Sequence, residues 1–454
     1  MEVEIEIISR ENIKPSSPTP SHLRAFKLSL LDHLIPAPYS PMILFYASQE
    51  ESAENTHFET LKRIQSLKQS LSETLTQFYP LAGKLKDDIF IECNDEGANF
   101  VEARVKCPLS DILSQTDLIL LHKFLPCDHL VVEESDSGAY VANIQVSTFD
   151  CGGIAIGICI SHRILDGSAL STFLKVWKSR AKGCEENAMC PNFIAASLFP
   201  IENLWFKDLS MVMWGSLFKQ GKFVTKRFLF SNSALSTLKK QLAMKNSLLH
   251  NPTRLEIISA ILWKSLMAIS ETRFGTQRHS LVTHLVNLRR RIHKALSPQY
   301  AIGNLLWLAA AERKSDKVTT LGELVGELRK SISEIDEKFV ERLQSNEGKS
   351  VMFKSLKRIG ELGSKDEVDH FGFSSWCNLG FYELDFGWGK PIWVSSIGSN
   401  GAFFMNLIIL VDTRFGDGIE AWVTLDEKDM AHLEANAELA TYAILDPSPL
   451  QHLV

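Results

Sequence analysis

The sequence lacks any uninterrupted apolar run of the roughly 18 residues that a membrane-spanning helix needs. Its longest candidate, FFMNLIILV at 403–411, is short, contains an asparagine and is typical of a buried strand. The N-terminus, MEVEIEIIS, does not have the basic and then apolar order of a signal peptide. It alternates glutamate with aliphatic residues, which predicts a half-buried strand. These absences predict a cytoplasmic protein that does not act at a membrane.

Basic charge is not in excess either, since 48 Lys and Arg residues face 54 Asp and Glu residues and the net charge is −6. A protein that gains affinity from nucleic-acid phosphates needs a basic surplus, so nucleic acid is not an expected partner. The eight cysteines are scattered without a C-x-x-C pair, which argues against a disulfide framework and a zinc module. We therefore expect reduced cysteines that lie mostly in the core, and no metal site.

What the sequence does contain is typical of a globular protein of two or three domains, with 454 residues, 45% hydrophobic and 22% charged. Helix-like segments, such as 58–78 with apolar residues three and four positions apart, are mixed with strand-like segments throughout. This mixture predicts a mixed α/β (α+β) class with helices layered on sheets. Residues 184–222 show no sustained period and predict a long, partly packed connection. The predicted strands are 89–93, 99–105, 140–149 and 153–161 before it, and 223–230, 279–288, 381–386, 392–397, 404–412 and 419–425 after it.

The sharpest local signal is ICISHRILDGSALSTFLKVW, residues 158–177. An apolar strand ends at His162, Asp166 follows four residues later, and an amphipathic helix begins at Gly167. Imidazole can take and return a proton near neutral pH, so a histidine held at a strand end is a candidate general base. The pattern H-x-x-x-D-G is expected by chance roughly 0.03 times in such a chain. A structural interpretation, with His162 as a satisfied strand-end residue and Asp166 as a helix N-cap, explains this window equally well.

A second motif, D-F-G-W-G at 385–389, supports competing interpretations. The D-F-G triplet holds magnesium in protein kinases, but the H-R-D loop, the V-A-I-K lysine and the glycine-rich loop are missing here. Asp385 could act as a second acid or base. However, Gly387, Trp388 and Gly389 favour a tight turn in which the aspartate is structural.

Other chemistries fit the sequence poorly. An α/β-hydrolase needs a G-x-S-x-G elbow, which residues 167–169 do not supply. A metal held by His162 and Asp166 has no evident third ligand. A peptide-synthetase condensation domain usually has a second histidine where this chain has Ser161.

Together, the two motifs resemble the signature of the plant BAHD acyltransferase family, H-x-x-x-D-G in the first half and D-F-G-W-G in the second. Both are intact here, at 162–167 and 385–389. The fragments PSSPTP, CGGIAIG and WCNLGFYELDFGWGKP are most similar to the clade that acetylates alkaloid and terpenoid alcohols. Further similar segments stand in the family's order: FYPLAGK (78–84, with Lys84 where arginine is usual), CNDEG (93–97), FVEARV (100–105), VNLRRR (286–291), GN (303–304) and SSWC (374–377).

The resemblance implies two chloramphenicol-acetyltransferase-like domains with mixed sheets and an active-site channel at their interface. Residues 1–190 would form the first domain, with about 371–394 packing into it, 191–222 the crossover loop, and 223–454 the second domain. It also implies a monomer that uses acyl-CoA as a co-substrate and binds no cofactor permanently. The basic stretch RRRIHK at 289–294 would then lie at a channel mouth and attract the phosphates of coenzyme A.

The family's residue roles carry over by motif. His162 would take the proton of the acceptor hydroxyl, and Asp166 would point away from the ligands and pair with Arg289. Ser374 and Trp376 would lie near the oxyanion and the substrate carbonyl. Asp385 belongs to the signature and is expected to be structural, as are the motif-turn residues Gly167, Gly387, Trp388 and Gly389.

The resemblance predicts an acyl-CoA-dependent O-acyltransferase that moves acetyl from acetyl-CoA to a hydroxyl of a plant specialised metabolite. The acceptor would be a terpenoid, such as a limonoid-type triterpenoid, or an alkaloid. The alternative is a non-catalytic relative that binds a small metabolite or a partner protein. Aromatic residues suggest an apolar acceptor pocket, although large cores use such residues too: Phe26, Phe45, Trp307, Phe371 and Phe373.

Overall fold

A computed structural model describes residues 3–35, 39–48, 53–86, 89–114, 117–127, 139–184, 189–201, 204–245, 251–314, 319–398 and 403–452. Up to residue 181 the chain forms strands β1 (Ile5–Ile13), β2 (Ala25–Lys27), β3 (Tyr39–Tyr46), β4 (Lys84–Lys86), β5 (Phe90–Glu92), β6 (Ala98–Val105), β7 (Ala142–Phe149) and β8 (Ile154–Ser161), and helices α1 (Ala53–Gln77), α2 (Leu109–Ser114) and α3 (Gly167–Ala181). Beyond it are helices α4 (Ala195–Leu198), α5 (Trp205–Leu217), α6 (Asn232–Lys245), α7 (Arg254–Phe274), α8 (Leu321–Ser333), α9 (Glu337–Gln344), α10 (Gly348–Gly363), α11 (Glu427–Glu434) and α12 (Ala437–Ala440). The same part contains strands β9 (Lys219–Gln220), β10 (Phe223–Ser231), β11 (His279–Asn287), β12 (Leu306–Arg313), β13 (Val368–Ser375), β14 (Trp393–Ser395), β15 (Phe403–Phe404), β16 (Leu407–Asp412), β17 (Gly418–Asp426) and β18 (Ile444–Leu445).

The first large sheet has the strand order β1-β6-β7-β8-β3-β14. Strand β8 lies in its interior between β7 and β3, and it is buried up to its last residue, Ser161. Helices α1 and α3 pack against each other in the same core. There Leu67 and Leu71 of α1 are fully buried, and the indole of Trp177 donates to the Leu67 carbonyl at 3.1 Å. A rigid, well-packed layer therefore fixes the position at which β8 ends.

The second large sheet has the order β12-β11-β13-β16-β17-β10-β18 and is covered on both faces. Neighbouring residues Leu281 and Val282 of β11 belong to different apolar clusters, as expected from the alternation of side chains along a strand. Helix α7 supplies much of one cluster, and helices α5, α9 and α10 supply the other. Helix α7 begins at a capping box formed by Thr253 and Glu256, whose T-x-x-E spacing is a sequence signal for a helix start. The mixed α/β class is therefore confirmed.

The chain crosses between the two large sheets after residue 375. Strand β13 lies inside the second sheet, whereas β14 pairs antiparallel with β3 at the margin of the first. The ring of Trp393 stacks on Phe45 in the first sheet, with centroids 5.4 Å apart, and on Trp422 in the second, at 5.7 Å. Part of the segment 371–394 thus belongs to each sheet. The limits of the domains themselves stay a prediction.

Two local predictions are wrong. Residues 184–222 contain a 13-residue helix, α5, whose buried residues have helical spacing, and the exposed apolar residues Met211 and Val212 conceal that period. Residues 381–386 do not form a strand but a 3₁₀ helix over Phe381–Glu383 that leads into a turn. The apparent alternation there is misleading because Phe381, Tyr382, Leu384 and Phe386 are all buried.

Burial also differs from two expectations. Strand β1 forms, but Ile7 and Ile8 are 43% and 49% exposed, because the strand is at a sheet edge and its register shifts between Ile7 and Ser9. All eight cysteines lie within the described ranges and are free thiols, yet most are not in the core: Cys93, Cys159 and Cys377 are buried, Cys107 and Cys127 are partly buried, and Cys151, Cys184 and Cys190 are exposed. No helix in the described ranges is long and apolar enough to cross a membrane.

Candidate active site

His162 follows β8 directly and is partly exposed. Its ring atom Nδ1 lies 2.9 Å from the side-chain oxygen Oδ1 of Asn304. The side-chain nitrogen of Asn304 donates to the backbone oxygen of His162 at 2.6 Å. Within the described part of the chain, the other ring nitrogen, Nε2, makes no hydrogen bond. The site thus presents one ring nitrogen of His162 for chemistry while Asn304 holds the other.

Asp32 supports Asn304 from its far side. Its Oδ1 accepts the backbone N–H of Asn304 at 2.6 Å and the side-chain N–H at 3.0 Å. Its Oδ2 accepts the backbone N–H and the hydroxyl of Ser29, both at 2.7 Å. Asp32 is buried, and burial raises the pKa of its carboxyl against the opposing effect of these four hydrogen bonds.

Asp166 is fully buried and faces away from the His162 ring. Its Oδ1 caps helix α3 by accepting the N–H of Ala169 at 2.9 Å. Its Oδ2 accepts from the guanidinium of Arg289 at 2.6 Å and from the N–H of Leu305 at 3.1 Å. Arg289 is buried as well, and its remaining N–H groups donate to backbone oxygens of 301 and 303. The pair therefore ties α3 to the segment that carries Asn304.

Burial lowers the pKa of His162 below the ordinary value for histidine. A hydrogen bond with the backbone of His162 itself, the negative charge of Asp166 and the contact with Asn304 raise the pKa without cancelling this effect. The ring is therefore neutral at neutral pH, which is the form that a general base requires. No group of three or more His, Cys, Asp or Glu side chains within the described ranges could hold a metal ion.

Ser374 lies in β13, and Trp376, which follows that strand, lies close to Gly167 at the start of α3. A Cβ atom added to Gly167 would be in ordinary contact with the Trp376 indole at 4.0 Å but only 3.0 Å from Leu379, so the glycine leaves room for Leu379. Ser374 is partly exposed near the end of β13, paired with Ile409 of β16. Neither Ser374 nor Trp376 is hydrogen-bonded to His162.

The D-F-G-W-G segment forms a tight turn around Asp385. Its Oδ1 accepts the N–H groups of Gly387 and Gly389, both at 2.9 Å, and its Oδ2 pairs with Lys182 at 2.9 Å. Gly387 and Gly389 have φ of +114° and +100°, a backbone region that favours glycine. Partial burial raises the pKa of Asp385, but these three partners outweigh it and lower the pKa below the ordinary value. The Trp388 ring stacks on Phe386, with centroids 5.8 Å apart.

The sequence model of the Transferase family matches residues 3–440. An epi-neemfruitin B 7-O-acetyltransferase of Melia azedarach is 45% identical over 99% of this chain and 100% of its own length. A limonoid 7-O-acetyltransferase of Citrus sinensis is 44% identical over 99% of this chain and 100% of its own. This chain is a BAHD acyltransferase.

The fold agrees with that assignment. The crystal structure of vinorine synthase superposes with a TM-score of 0.78 at 33% identity, covering 97% of this chain and 98% of that one. Chains crystallised with coenzyme A share the fold at 16–18% identity, which by itself shows the fold alone. The family match and the full-length similarity to named O-acetyltransferases show that this BAHD chain is an enzyme of acyl-CoA-dependent O-acylation.

One expectation about the surroundings of the BAHD site is wrong in part, and another is wrong. Arg289 and Arg291 do not face a solvated channel mouth, since Arg289 is buried on Asp166 and Arg291 donates to the backbone oxygens of Asn287 and Ile335. Arg290, His293 and Lys294 are exposed, so a channel mouth at this basic stretch stays a prediction. The aromatic residues named as pocket candidates are at most 8% exposed and fill the cores. They therefore carry no information about the acceptor.

Sequence reasoning assigned no role to Asn304 or Asp32, although both are hydrogen-bonded within the site of this BAHD enzyme. Asn304 belongs to the GN segment at 303–304, which was noted only as a family-like fragment. Asp32 follows Ser29 at the S-x-x-D spacing of a capping box, and the structure shows that box at a short 3₁₀ helix, Leu30–His33. That spacing was the available local signal.

For this BAHD acyltransferase, we expect Asp385→Ala to lower the free energy of unfolding by about 1–2 kcal/mol, because the exposed N–H of Gly387, the partly buried N–H of Gly389 and the Lys182 ammonium all lose their acceptor. Folded yield and total activity should fall in parallel, and activity per folded molecule should change little. Chemical unfolding together with rates per folded molecule measures both quantities. Asp385→Asn keeps an acceptor oxygen and serves as the milder control. A well-folded Asp385→Ala variant without activity would contradict the structural role.

Proposed function

We propose that this chain transfers the acetyl group of acetyl-CoA to the 7-hydroxyl of a limonoid-type triterpenoid. The observation that supports the acceptor class is the full-length similarity to two relatives named for limonoid 7-O-acetyl transfer, at 45% and 44% identity. Alkaloid acetyltransferases are less similar: stemmadenine O-acetyltransferase is 36% identical. An alkaloid alcohol is therefore the second candidate acceptor.

In the proposed mechanism, Nε2 of His162 accepts the proton of the acceptor hydroxyl as its oxygen attacks the thioester carbonyl carbon. The carbonyl electrons move to its oxygen, and Ser374 with Trp376 would donate hydrogen bonds to that oxyanion. Collapse of the tetrahedral intermediate breaks the C–S bond. The His162 imidazolium then returns the proton to the departing thiolate, giving an ester and free coenzyme A.

The remaining residues are assigned supporting roles. Asp166 and Arg289 would hold the loop that ends β8 against the second half of the chain, because their ion pair is fully enclosed. Gly167 would leave space for Leu379, and the 385–389 turn would maintain the packing of Phe386 on Trp177 of α3. That the enzyme works as a monomer in the cytoplasm, without a permanently bound cofactor, also stays a prediction.

The pKa of His162 predicts the pH dependence of turnover. Since the neutral ring is the active base and burial lowers its pKa, kcat should rise with pH through a value below about 6.5 and stay constant from there to about 7.5. Steady-state rates at saturating donor and acceptor between pH 4.5 and 8 measure this rise of kcat, the acid limb of the pH profile. An acid limb centred above pH 7 would show that the base titrates outside the environment described here.

The test of the acceptor class is release of free thiol from acetyl-CoA in the presence of three compounds. These are a limonoid with a free 7-hydroxyl, the same skeleton without that hydroxyl, and an indole alkaloid alcohol. We expect thiol release and gain of one acetyl group with the first compound only. Turnover of the alkaloid alone would move the assignment to the second candidate. Coenzyme A binding without turnover of any alcohol would favour the non-catalytic alternative.

A further inference from the structure

The hydrogen bonds of Asn304 determine how its amide is oriented. Its side-chain nitrogen is 2.6 Å from the backbone oxygen of His162 and 3.0 Å from Oδ1 of Asp32. Both partners are acceptors, so the –NH₂ group must face them and the amide oxygen must face the His162 ring. An amide oxygen only accepts hydrogen bonds. The ring atom Nδ1, at 2.9 Å, must therefore carry a hydrogen.

Asp32 completes this arrangement with a buried charge. Of the four groups that donate to its oxygens, three are N–H groups of Asn304 and Ser29, which cannot accept a proton. This geometry fits an ionised carboxylate rather than a carboxylic acid. Within the described ranges no cationic side chain pairs with Asp32, so its charge is balanced by hydrogen bonds alone and is directed at Asn304.

The backbone around Asn304 is held on both sides. Gly303 has φ of +126°, and a Cβ atom there would be 2.7 Å from the side chain of Ala195. On the other side, the N–H of Leu305 donates to Asp166 at 3.1 Å. Asp166 thus acts on the backbone next to Asn304, and both of its oxygens are occupied by contacts other than the His162 ring.

We infer that Asn304 and Asp32 are positioning residues for His162. Asn304 fixes the tautomer with hydrogen on Nδ1, which leaves the lone pair of Nε2 free to act as the base. Asp32, through the amide of Asn304, stabilises the imidazolium that forms when Nε2 takes a proton. This inference rests on the proposed role of His162, and it places the orienting carboxylate outside the H-x-x-x-D motif.

Other ionisable groups also border His162. Asp166 is adjacent but is paired with Arg289. Arg163, the next residue in the chain, is buried and donates to Nδ1 of His33 at 3.0 Å. None of these groups is altered in the variant proposed next, so their effects on the pKa of His162 are common to both proteins.

The first test is the pH profile of kcat in Asp32→Asn, which removes a charge with almost no change of shape. Loss of the negative charge disfavours the imidazolium, so the acid limb should move to lower pH. The plateau rate should fall about tenfold or more. The matched control is Glu420→Gln, which removes another buried carboxylate that pairs with Arg227. It should lower stability and leave the limb in place. An unmoved limb in Asp32→Asn would overturn the inference.

The second test reads the tautomer directly, without activity. Long-range ¹H–¹⁵N correlation spectra of the ¹⁵N-histidine-labelled enzyme at pH 7.5 should show His162 with hydrogen on Nδ1, with His162→Ala used for assignment. Asn304→Ala should shift the population toward hydrogen on Nε2. Hydrogen on Nε2 in the native enzyme overturns the inference even if turnover is normal. Hydrogen on Nδ1 in an enzyme that acetylates no acceptor supports the positioning role while the proposed function fails. If Asp32→Asn does not fold, the native spectrum decides.

Discussion

His162→Ala should reduce acetyl transfer at least about 100-fold, the lower end of what a general base contributes. The alanine leaves no group that can take the hydroxyl proton, since Asp166 is enclosed by Ala169, Arg289 and Leu305 and Asp32 faces Asn304. The loss should appear in kcat, with little change in the affinity for coenzyme A. Rates of thiol release at saturating substrates, compared with binding of coenzyme A by calorimetry, measure the two separately.

The control for this variant is the folded state. The His162 ring makes one hydrogen-bond contact, with Asn304. The free energy of unfolding of His162→Ala should therefore lie within about 1–2 kcal/mol of that of the native enzyme. Full turnover in a folded His162→Ala variant would remove His162 from the mechanism. A native protein that neither binds coenzyme A nor releases thiol would bring the non-catalytic alternative forward.

Asp166→Asn is expected to have the second large effect, on stability rather than on chemistry. The side chains of Asp166 and Arg289 are 0% and 4% exposed, so removing the carboxylate charge leaves a buried cation uncompensated. Breaking such a pair costs about 3–5 kcal/mol. The urea midpoint monitored by tryptophan fluorescence should fall accordingly. Because the pair joins α3 to the 301–305 segment, the loss should be seen in both halves of the chain.

Two further variants test the cause of that loss. Glu361→Gln breaks a pair with Lys357 in which both side chains are more than half exposed, and its effect should stay within about 1 kcal/mol. The double variant Asp166→Asn with Arg289→Leu removes both charges and should recover part of the stability lost in Asp166→Asn. A double variant less stable than either single one would mean that hydrogen bonding, not charge burial, dominates.

Features that depend on neighbouring residues could be predicted from the sequence. The strand that ends at His162, the Asp166 cap of α3 and the capping box at Thr253 all have short-range signals, and all three are present. The turn between β7 and β8 contains Asp-Cys-Gly-Gly at 150–153, residues that favour turns, and Gly152 has a positive φ of 77°. Local chemistry decides each of these features.

The residues that hold His162 in place, Asn304 and Asp32, could not be predicted in this way. Asn304 is 142 positions from His162 and 272 positions from Asp32, so no periodicity or spacing connects the three residues. Only the folded sheets bring them together. Helix α5 was missed for a different reason: apolar residues on its exposed side hide the period that packing against α10 imposes.

The position of β14 in the chain determines when the first sheet can be completed during protein synthesis. Its partner β3 ends at Tyr46, but β14 begins only at Trp393, so the ribosome must add about 350 residues before they can pair. At roughly 5–20 residues per second this takes on the order of 20–70 s. During that time the apolar edge of β3 is an open template for other chains. A nascent chain therefore has its complete His162 motif long before it can close the sheet that supports it, and messages truncated before codon 393 should yield aggregating products.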